Sequence, residues 1–385
     1  MTLTANWNYP TSVRFGQGRI AELPQACQAV GIQRPLIVTD PGLSALPMIA
    51  AAVAACKAAG LGVGLFDQVK PNPVAKNVED GVAAFRAGNH DGVVAFGGGS
   101  ALDCGKVIAF MSGQTRPMWD FEDIGDWWTR ADEAGIAPII AVPTTSGTGS
   151  EVGRAGVITN EETHTKKVIF HPKILPRIVI CDPELTVGLP PKITAATGID
   201  ALSHCLEAYC APGFHPMADG IAAEGVRLVK EYLPRAVADG RDIEARAQMM
   251  AAAAMGATAF QKGLGGMHSL AHPIGALYDT HHGMTNGVVM PYVLVANRAA
   301  IEERLARLAA YIGLQPSFDA FLAWILDLRA TVGVPHTLDG IGVGAEKAEL
   351  IAEMAEADPT AGGNPIKLTR EGARKMFDAA LAGTL

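Results

Sequence analysis

The chain has 385 residues, of which 49% are hydrophobic and only 18% charged, and its formal net charge is −8. A chain of this length exceeds what a single hydrophobic core usually serves, so we expect two domains. The apolar composition excludes a disordered protein, and the acidic balance argues against non-specific binding to nucleic acid, which requires a basic surface.

The apolar runs and the cysteines argue against a membrane or secreted protein. The longest nearly uncharged runs, residues 46–56 and 249–260, are shorter than the ~18–20 apolar residues that cross a bilayer. The N-terminal sequence has neither a positive leader nor an apolar core, so we expect no export signal. Six cysteines without a C-x-x-C pair indicate reduced, mostly buried thiols, and together these features predict a cytoplasmic protein.

The first half of the chain alternates short β-branched runs with alanine-rich amphipathic segments, which predicts βαβ units and a parallel sheet. In chain order we predict a strand at 35–40, a helix at 43–60, a strand at 61–67, a helix at 74–88, a strand at 91–96, a helix from 101 to about 112 and a strand at 138–143. Residues 118–132, which hold three tryptophans without a clear period, are interpreted as a surface excursion between strands.

Beyond about residue 185 the strand-like runs nearly vanish and helical patterns continue to the end. The predicted helices cover residues 195–210, 222–233, 243–260, 301–312, 318–330 and 369–381. We therefore expect an α/β domain over residues 1–185 and an all-α domain over residues 186–385.

Two loops of the α/β half have the composition of a nucleotide-binding site. The GGGS turn at 97–100 lies between a predicted strand and helix, where glycines let a phosphate approach the free N–H groups of the helix N-terminus. Ser100 and Asp103 also fit an S-x-x-D capping box. The loop at 144–150 consists only of Gly, Ser and Thr, which suits a polar ligand such as a pyrophosphate. Close packing of a turn and simple flexibility remain the alternative interpretations.

Asp40 ends the first predicted strand. An acid at such a position can accept both ribose hydroxyls of NAD and repel the 2′-phosphate of NADP. In the ordinary Rossmann fingerprint, however, the acid follows the glycines by about 20 residues, whereas Asp40 precedes them. The residues alone therefore leave open a variant dinucleotide fold and an acid that only terminates a strand.

The helical half holds a group of residues suited to a metal ion. Two pairs have i, i+4 spacing, which places both side chains on one helix face, and two further histidines follow. The six candidates are Asp200, His204, His268, His272, His281 and His282. A carboxylate with several imidazoles suits Fe(II) or Zn(II), but the spacing does not select which four residues bind. A cation beside a nicotinamide would polarise the C–O bond of an alcohol or aldehyde, and a further histidine would relay the hydroxyl proton.

The chain resembles the iron-containing (group III) alcohol dehydrogenases, which are related in fold to dehydroquinate synthase and glycerol dehydrogenase. The resemblance spans essentially the whole chain. It rests on FGQG at 15–18, KPNP at 70–73, GGGSALDCGK at 97–106, TTSGTGSE at 144–151, DPEL at 182–185, GIDALSH at 198–204, MHSLAHPIGA at 267–276, HG at 282–283 and GGNP at 362–365. So many ordered matches are specific to the family and carry little information about the substrate.

The resemblance implies an α/β N-terminal domain that is Rossmann-like and binds NAD, and an all-α C-terminal domain that binds the metal. The family's metal ligands fall on Asp200, His204, His268 and His282, and its proton-relay histidine falls on His272. The cofactor contacts fall on Asp40, Asn72, Gly98, Gly99, Ser100, Thr144, Thr145, Thr148, Val157 and Lys166. The implied cofactors are NAD and Fe(II), although three imidazoles and a carboxylate would bind Zn(II) more tightly.

The expected function is hydride transfer between NAD(H) and a small primary alcohol, diol, hydroxy acid or aldehyde. Its alternatives are a dehydroquinate synthase-like cyclase or lyase that regenerates NAD, a non-haem iron oxygenase, and a non-catalytic nucleotide-binding protein. The resemblance also suggests a homodimer or higher homo-oligomer in which the N-terminal strand near residues 11–16 pairs across the interface.

Overall fold

The computed structural model describes Tyr9, residues 11–163 and residues 165–385. These residues form two compact units: Tyr9–Thr145 with Gly149–Thr186, and Val187–Leu385 with Ser146–Thr148. Residues 1–8, on which the expectation of no export signal depends, lie outside the described residues. Within the described part of the chain, none of the helices has the length and apolar character that a membrane crossing needs.

A six-stranded parallel sheet forms the centre of the first unit. The strands of the described residues are β1 (Ser12–Phe15), β2 (Pro35–Val38), β3 (Gly64–Phe66), β4 (Gly92–Gly97), β5 (Ile139–Pro143), β6 (Ala155–Asn160), β7 (Thr165–Phe170) and β8 (Ile178–Cys181). The strand order in the sheet is β1-β8-β5-β4-β2-β3. The accompanying helices are α1 (Leu23–Ala29), α2 (Pro41–Ser44), α3 (Pro47–Ala58), α4 (Ala75–Ala87) and α5 (Gly99–Met111). Successive residues of the central strands point to opposite faces, so Leu36 and Ile37 belong to separate apolar clusters.

One predicted helix of this unit is wrong, and the structure adds features that were not predicted. The single helix expected at 43–60 is two helices, α2 and α3, because Pro47 lacks the N–H that would continue the first and instead begins the second. The segment at 118–132, interpreted as a surface excursion between strands, contains two 3-10 turns, at Met118–Phe121 and Trp127–Arg130, and a third follows at Glu133–Gly135. The antiparallel hairpin β6–β7 and the strand β8 were not predicted.

The second unit is built from helices around one large apolar cluster. Its helices are α6 (Pro191–Cys210), α7 (Pro216–Ala238), α8 (Ile243–Ala259), α9 (Gly266–Tyr278), α10 (His282–Ala296), α11 (Arg298–Tyr311), α12 (Phe318–Thr331), α13 (Ala348–Ala357) and α14 (Arg370–Ala382). The helix predicted at 222–233 is longer at both ends, as α7. The predicted fold class, a parallel α/β sheet followed by a helical region, is confirmed.

Candidate metal centre and nucleotide-binding edge

Helix α6 carries the first two candidate metal ligands. Asp200 and His204 are one turn apart on the same helix face, and both side chains are buried. Helix α9 brings His268 to them, and one potential ligand atom from each of the three residues lies within 4.8 Å of the others. A buried carboxylate and two imidazoles at this separation form a candidate metal site with three of the four ligands that a tetrahedral ion takes.

His282, the first residue of α10, lies at the same centre. Its Nε2 is 3.6 Å from Oδ1 of Asp200. The amide nitrogen of Asn286, one turn further along α10, is 2.9 Å from Asp200 Oδ1, 3.3 Å from His268 Nε2 and 3.2 Å from His282 Nε2. One carboxylate oxygen and two imidazole nitrogens therefore lie around the same amide group. This combination of oxygen and nitrogen ligand atoms fits a divalent transition metal.

The pKa values of the two buried imidazoles shift in opposite directions. Burial lowers the pKa of His204 to about 4, against the opposing effect of Asp200, so this imidazole is neutral at pH 7 and keeps a lone pair. Burial also lowers the pKa of His268, but the neighbouring carboxylates, Glu207 first, outweigh burial and the net shift is upward.

Two glycines let neighbouring helices approach the ligand-bearing face of α6. A Cβ atom added to Gly256 of α8 would lie 2.9 Å from the Cβ of His204. A Cβ atom added to Gly283 of α10 would lie 2.2 Å from the carbonyl oxygen of Ala196 and 2.8 Å from the Cβ of Asp200. The position of His282 relative to Asp200 therefore depends on the missing side chain at Gly283.

We expect Gly283→Ala to lower the affinity for a divalent metal about tenfold and the free energy of unfolding by about 1–3 kcal/mol, because the added methyl group separates α10 from α6. Alanine is otherwise the better helix former, so a loss can be attributed to packing. Titration with Co(II) and denaturant unfolding measure the two effects.

Gly220→Ala is the matched control, because Gly220 lies within α7 and an added Cβ would have no atom within 4 Å. It should keep metal affinity and keep or raise stability. Equal behaviour of the two variants would show that α10 does not depend on close approach at Gly283.

His272 lies one turn after His268 on α9 and adjoins the centre without joining the ligand group. Its ring stacks on that of His282, with centroids 5.4 Å apart and an interplanar angle of 13°. Its Nδ1 is 2.9 Å from Oδ2 of Asp358, and His272 lowers the pKa of that carboxyl against the effect of burial. The carboxylate accepts a hydrogen bond from Nδ1–H, which leaves the lone pair of the ring on Nε2 of His272. His281, the sixth sequence candidate, precedes α10 as its N-cap and is exposed.

The nucleotide-binding candidates of the first unit lie where three neighbouring parallel strands end. Asp40 follows β2, Gly98 follows β4 and Thr144 follows β5, in adjacent positions of the sheet. The Thr144 N–H donates to the carbonyl of Gly97 at 3.0 Å. The strand order changes direction between β2 and β4, and in open parallel sheets ligands bind outside the carboxyl ends at such a point.

The glycine-rich turn begins α5 as expected, but the predicted capping box is wrong. Gly98 is the N-cap, and the helix makes no side-chain cap hydrogen bond. The Asp103 carboxylate instead accepts from the hydroxyl of Ser150 and, at 3.0 Å, from the N–H of Val157. Asp103 thus connects α5 to the following loop and hairpin, and Ser100 and the free N–H groups of α5 stay available to a ligand.

Four further cofactor candidates, Asn72, Thr145, Thr148 and Lys166, fall into three places. Asn72 has a positive φ of 51°. Beside it, the Pro73 carbonyl accepts from the Thr159 N–H at 2.7 Å, and Lys166 is paired with Thr159 in the hairpin. Asn72 and Lys166 are thus on neighbouring segments. Thr145 is near Gly98, since a Cβ atom added to Gly98 would lie 3.3 Å from its methyl group, whereas Thr148 belongs to the helical unit.

Sequence reasoning missed three polar residues at the metal centre: Glu207, Asn286 and Asp358. Glu207 is three residues after His204 and Asn286 is four residues after His282, so helical spacing could have identified both. Asp358 lies far from His272 in the chain, and no local pattern marks it.

Family comparison agrees with this geometry over nearly the whole chain. The family model described as iron-containing alcohol dehydrogenase matches residues 10–183, and the C-terminal model of the same family matches residues 194–381. The chain is 39% identical to a 4-hydroxybutyrate dehydrogenase of Cupriavidus necator, with 97% of this chain and 99% of that protein aligned. It is 34% identical to an NAD-dependent methanol dehydrogenase of Bacillus methanolicus, with 98% and 100% aligned.

Among solved structures, the crystal structure of a 1,3-propanediol oxidoreductase superimposes with a TM-score of 0.92 at 36% identity, covering 98% of this chain and 100% of the other. The family uses NAD and iron, so the cofactors implied by the resemblance are confirmed. The dehydroquinate synthase-like alternative is not favoured. The chain belongs to the iron-containing alcohol dehydrogenase family, the oxidoreductases that transfer hydride between NAD(H) and alcohols.

Proposed function

We propose that this chain interconverts short primary alcohols, diols or hydroxy acids with their aldehydes at a cation held by Asp200, His204, His268 and His282. The observation that carries the proposal is the convergence of carboxylate and imidazole atoms at one buried point beside Asn286. The similar proteins are named for 4-hydroxybutyrate, methanol and 1,3-propanediol, which are small molecules with a terminal hydroxyl group.

The residues around the cation would have separate roles in the reaction. When bound, the cation would polarise the C–O bond and lower the pKa of the substrate hydroxyl. His272 would accept the hydroxyl proton at Nε2, because Asp358 holds its Nδ1 as a donor. The Asp358 carboxylate would then stabilise the imidazolium until the proton passes to water, while the carbinol hydride passes to NAD.

The proposed cofactor contacts follow from the edge of the sheet. The N–H groups of Gly99 and Ser100, in the first turn of α5, would bind the pyrophosphate of NAD. Asp40 would accept the ribose hydroxyls. Asn72, Gly98, Thr144, Thr145, Thr148, Val157 and Lys166 complete the proposed set.

The test is a panel of C2–C6 alcohols and aldehydes with NAD(H), run on protein reconstituted separately with Fe(II) and with Zn(II). We expect net NADH formation from at least one terminal alcohol and net NADH consumption with its aldehyde. Net NADH formation from a simple alcohol would also count against the cyclase alternative, in which NAD is regenerated within each turnover. The absence of turnover across the panel with either metal would contradict the proposed substrate class.

A homodimer formed through β1 is part of the proposal. Among the described strands β1 pairs with β8 alone, and its Val13 and Phe15 side chains are 38% and 40% exposed. An open strand edge with exposed apolar side chains favours pairing with a second chain. We expect the chain to sediment as a dimer or a multiple of it. Replacing Val13 and Phe15 together by lysine should give monomers.

The proposed location is the cytoplasm. All six cysteines are buried and free, at Cys27, Cys56, Cys104, Cys181, Cys205 and Cys210. Reduced thiols at this length are typical of a reducing compartment, and NAD is a cofactor of that compartment's metabolism. Fractionation of the expressing cells tests the assignment.

A further inference from the structure

Glu207 is a buried residue of α6, and each oxygen of its carboxylate accepts a hydrogen bond from α9. Its side chain is 5% exposed. Oε1 accepts the backbone N–H of Met267 at 2.6 Å, and Oε2 lies 2.6 Å from Nδ1 of His268. Glu207 is not part of the group of ligand atoms formed by Asp200, His204 and His268, and it contacts that group at His268, so we expect it to affect the metal through His268.

We propose that Glu207 is a positioning residue that fixes the tautomer of His268, an inference that rests on the proposed function of His268 as a metal ligand. A carboxylate can only accept hydrogen bonds, so Nδ1 of His268 must carry the proton. The lone pair then belongs to Nε2, the atom 3.3 Å from the Asn286 amide nitrogen at the centre. Carboxylates behind ligating histidines orient the ring and raise its basicity in this way.

The bond to Met267 makes the carboxylate difficult to replace. Met267 lies in the first turn of α9, where the backbone N–H groups have no partner within the helix. Two N–H donors therefore converge on the two oxygens of Glu207. Glutamine has only one oxygen, so if it accepts from Met267 it presents its own N–H₂ to Nδ1 of His268. That arrangement stabilises the opposite tautomer, in which a proton on Nε2 points at the metal position.

A purely structural role, capping α9, makes a different prediction. Asn364 also caps this helix, because its Oδ1 accepts the Gly266 N–H at 3.0 Å, and its side chain makes no hydrogen bond to an imidazole among the described residues. If Glu207 only caps α9, then Glu207→Gln, whose oxygen can still accept the Met267 N–H, should bind metal like the wild type, and Asn364→Ala should weaken metal binding at least as much. If Glu207 sets the tautomer, only Glu207→Gln should do so.

The first experiment titrates the metal-free full-length variants with Co(II) and follows the visible absorption of the bound ion. We expect Glu207→Gln to raise the Kd for Co(II) about 10–100-fold and to alter the spectrum. Asn364→Ala and the surface control Glu231→Gln, whose native carboxylate pairs with Arg227, should stay within about threefold of wild type. Wild-type affinity in Glu207→Gln, or an equal loss in Asn364→Ala, overturns the proposal.

The second experiment needs no stable variant of Glu207. Long-range ¹H–¹⁵N spectra of the metal-free wild-type protein, labelled at histidine and recorded at alkaline pH where the imidazole carries one proton, report which nitrogen is protonated. The signal of His268, assigned by its loss in His268→Ala, should show protonated Nδ1. Protonation at Nε2 overturns the proposal. If instead the tautomer is as expected but His268→Ala keeps full Co(II) affinity, the proposed metal site is wrong and the Glu207–His268 contact stands.

Discussion

His268→Ala is expected to abolish metal binding and dehydrogenase activity together. His268 is buried among the other proposed ligands, and its removal deletes one of three imidazoles and leaves Oε2 of Glu207 without the ring nitrogen that it contacts. Loss of a preorganised group that stabilises developing charge commonly lowers kcat by about 10²–10³-fold, and loss of the cation itself should cost at least as much. Metal content of the purified variant and steady-state turnover with NAD measure the two effects.

His281→Ala is the matched control, because His281 is adjacent to His282 in the chain and was a candidate ligand, yet its side chain is exposed. It should keep both the metal and turnover. His268→Ala leaves Oε2 of Glu207 buried without its donor, so we also expect the free energy of unfolding to fall by about 1–3 kcal/mol. Unfolding of the metal-free variant and the metal-free wild type measures this loss separately from the loss of metal. Retained metal with full turnover in His268→Ala would count against the site.

The metal candidates could be found from the sequence only in part. The i, i+4 spacings identify Asp200 with His204 and His268 with His272, because a helix fixes which side chains share a face. Spacing says nothing about which helices meet, and that meeting depends on Gly256 and Gly283, whose effect is visible only once α8 and α10 lie against α6. The resemblance to a family, rather than spacing, selected His282 over His281.

The order of the nucleotide signals shows a second limit of the sequence. Asp40 precedes the glycine-rich turn in the chain, opposite to the usual fingerprint, yet β2 lies directly beside β4 in the sheet, and Oδ2 of Asp40 would be 3.7 Å from a Cβ atom on Gly97. The intervening β3 takes the outer position. Strand order is a property of long-range pairing, so alternation of strands and helices predicted a parallel sheet but could not predict these neighbours.

Features determined by distant contacts were missed altogether. Ser100 and Asp103 have the spacing of a capping box, but Asp103 bonds to Ser150 and Val157 because the hairpin brings those donors to it. Asp358 reaches His272 from a separate loop. In the first case a distant partner overrode a local rule, and in the second no local rule applied, because the partner is supplied by the tertiary structure alone.

Asp40→Asn is expected to lower the preference for NAD over NADP by about 100-fold. The preference is the ratio of the kcat/KM values measured with the two cofactors. The carboxylate at the end of β2 would repel a 2′-phosphate, and the neutral amide removes that repulsion while it keeps an oxygen for the ribose. A 100-fold change corresponds to about 2.7 kcal/mol, a reasonable effect for a charge that faces a phosphate dianion at short range. Kinetics with both cofactors at one ionic strength measure the ratio, since salt screens the repulsion.

The choice of asparagine follows from a second role of Asp40. Its Oδ1 accepts the Leu43 N–H at 3.0 Å as the N-cap of α2. Asp40→Ala would therefore also lose about 1 kcal/mol of helix capping, whereas asparagine caps equally well.

Asp91→Asn is the matched control. It makes the same change just before β4 begins, at the opposite edge of the sheet, where the carboxylate accepts hydrogen bonds from the N–H groups of Gln33 and Arg34. If Asp40 selects NAD by its charge, Asp40→Asn and Asp40→Ala shift the ratio alike and Asp91→Asn does not. A shift in Asp40→Ala alone would instead assign the effect to the start of α2, and an unchanged ratio in both would remove Asp40 from cofactor selection.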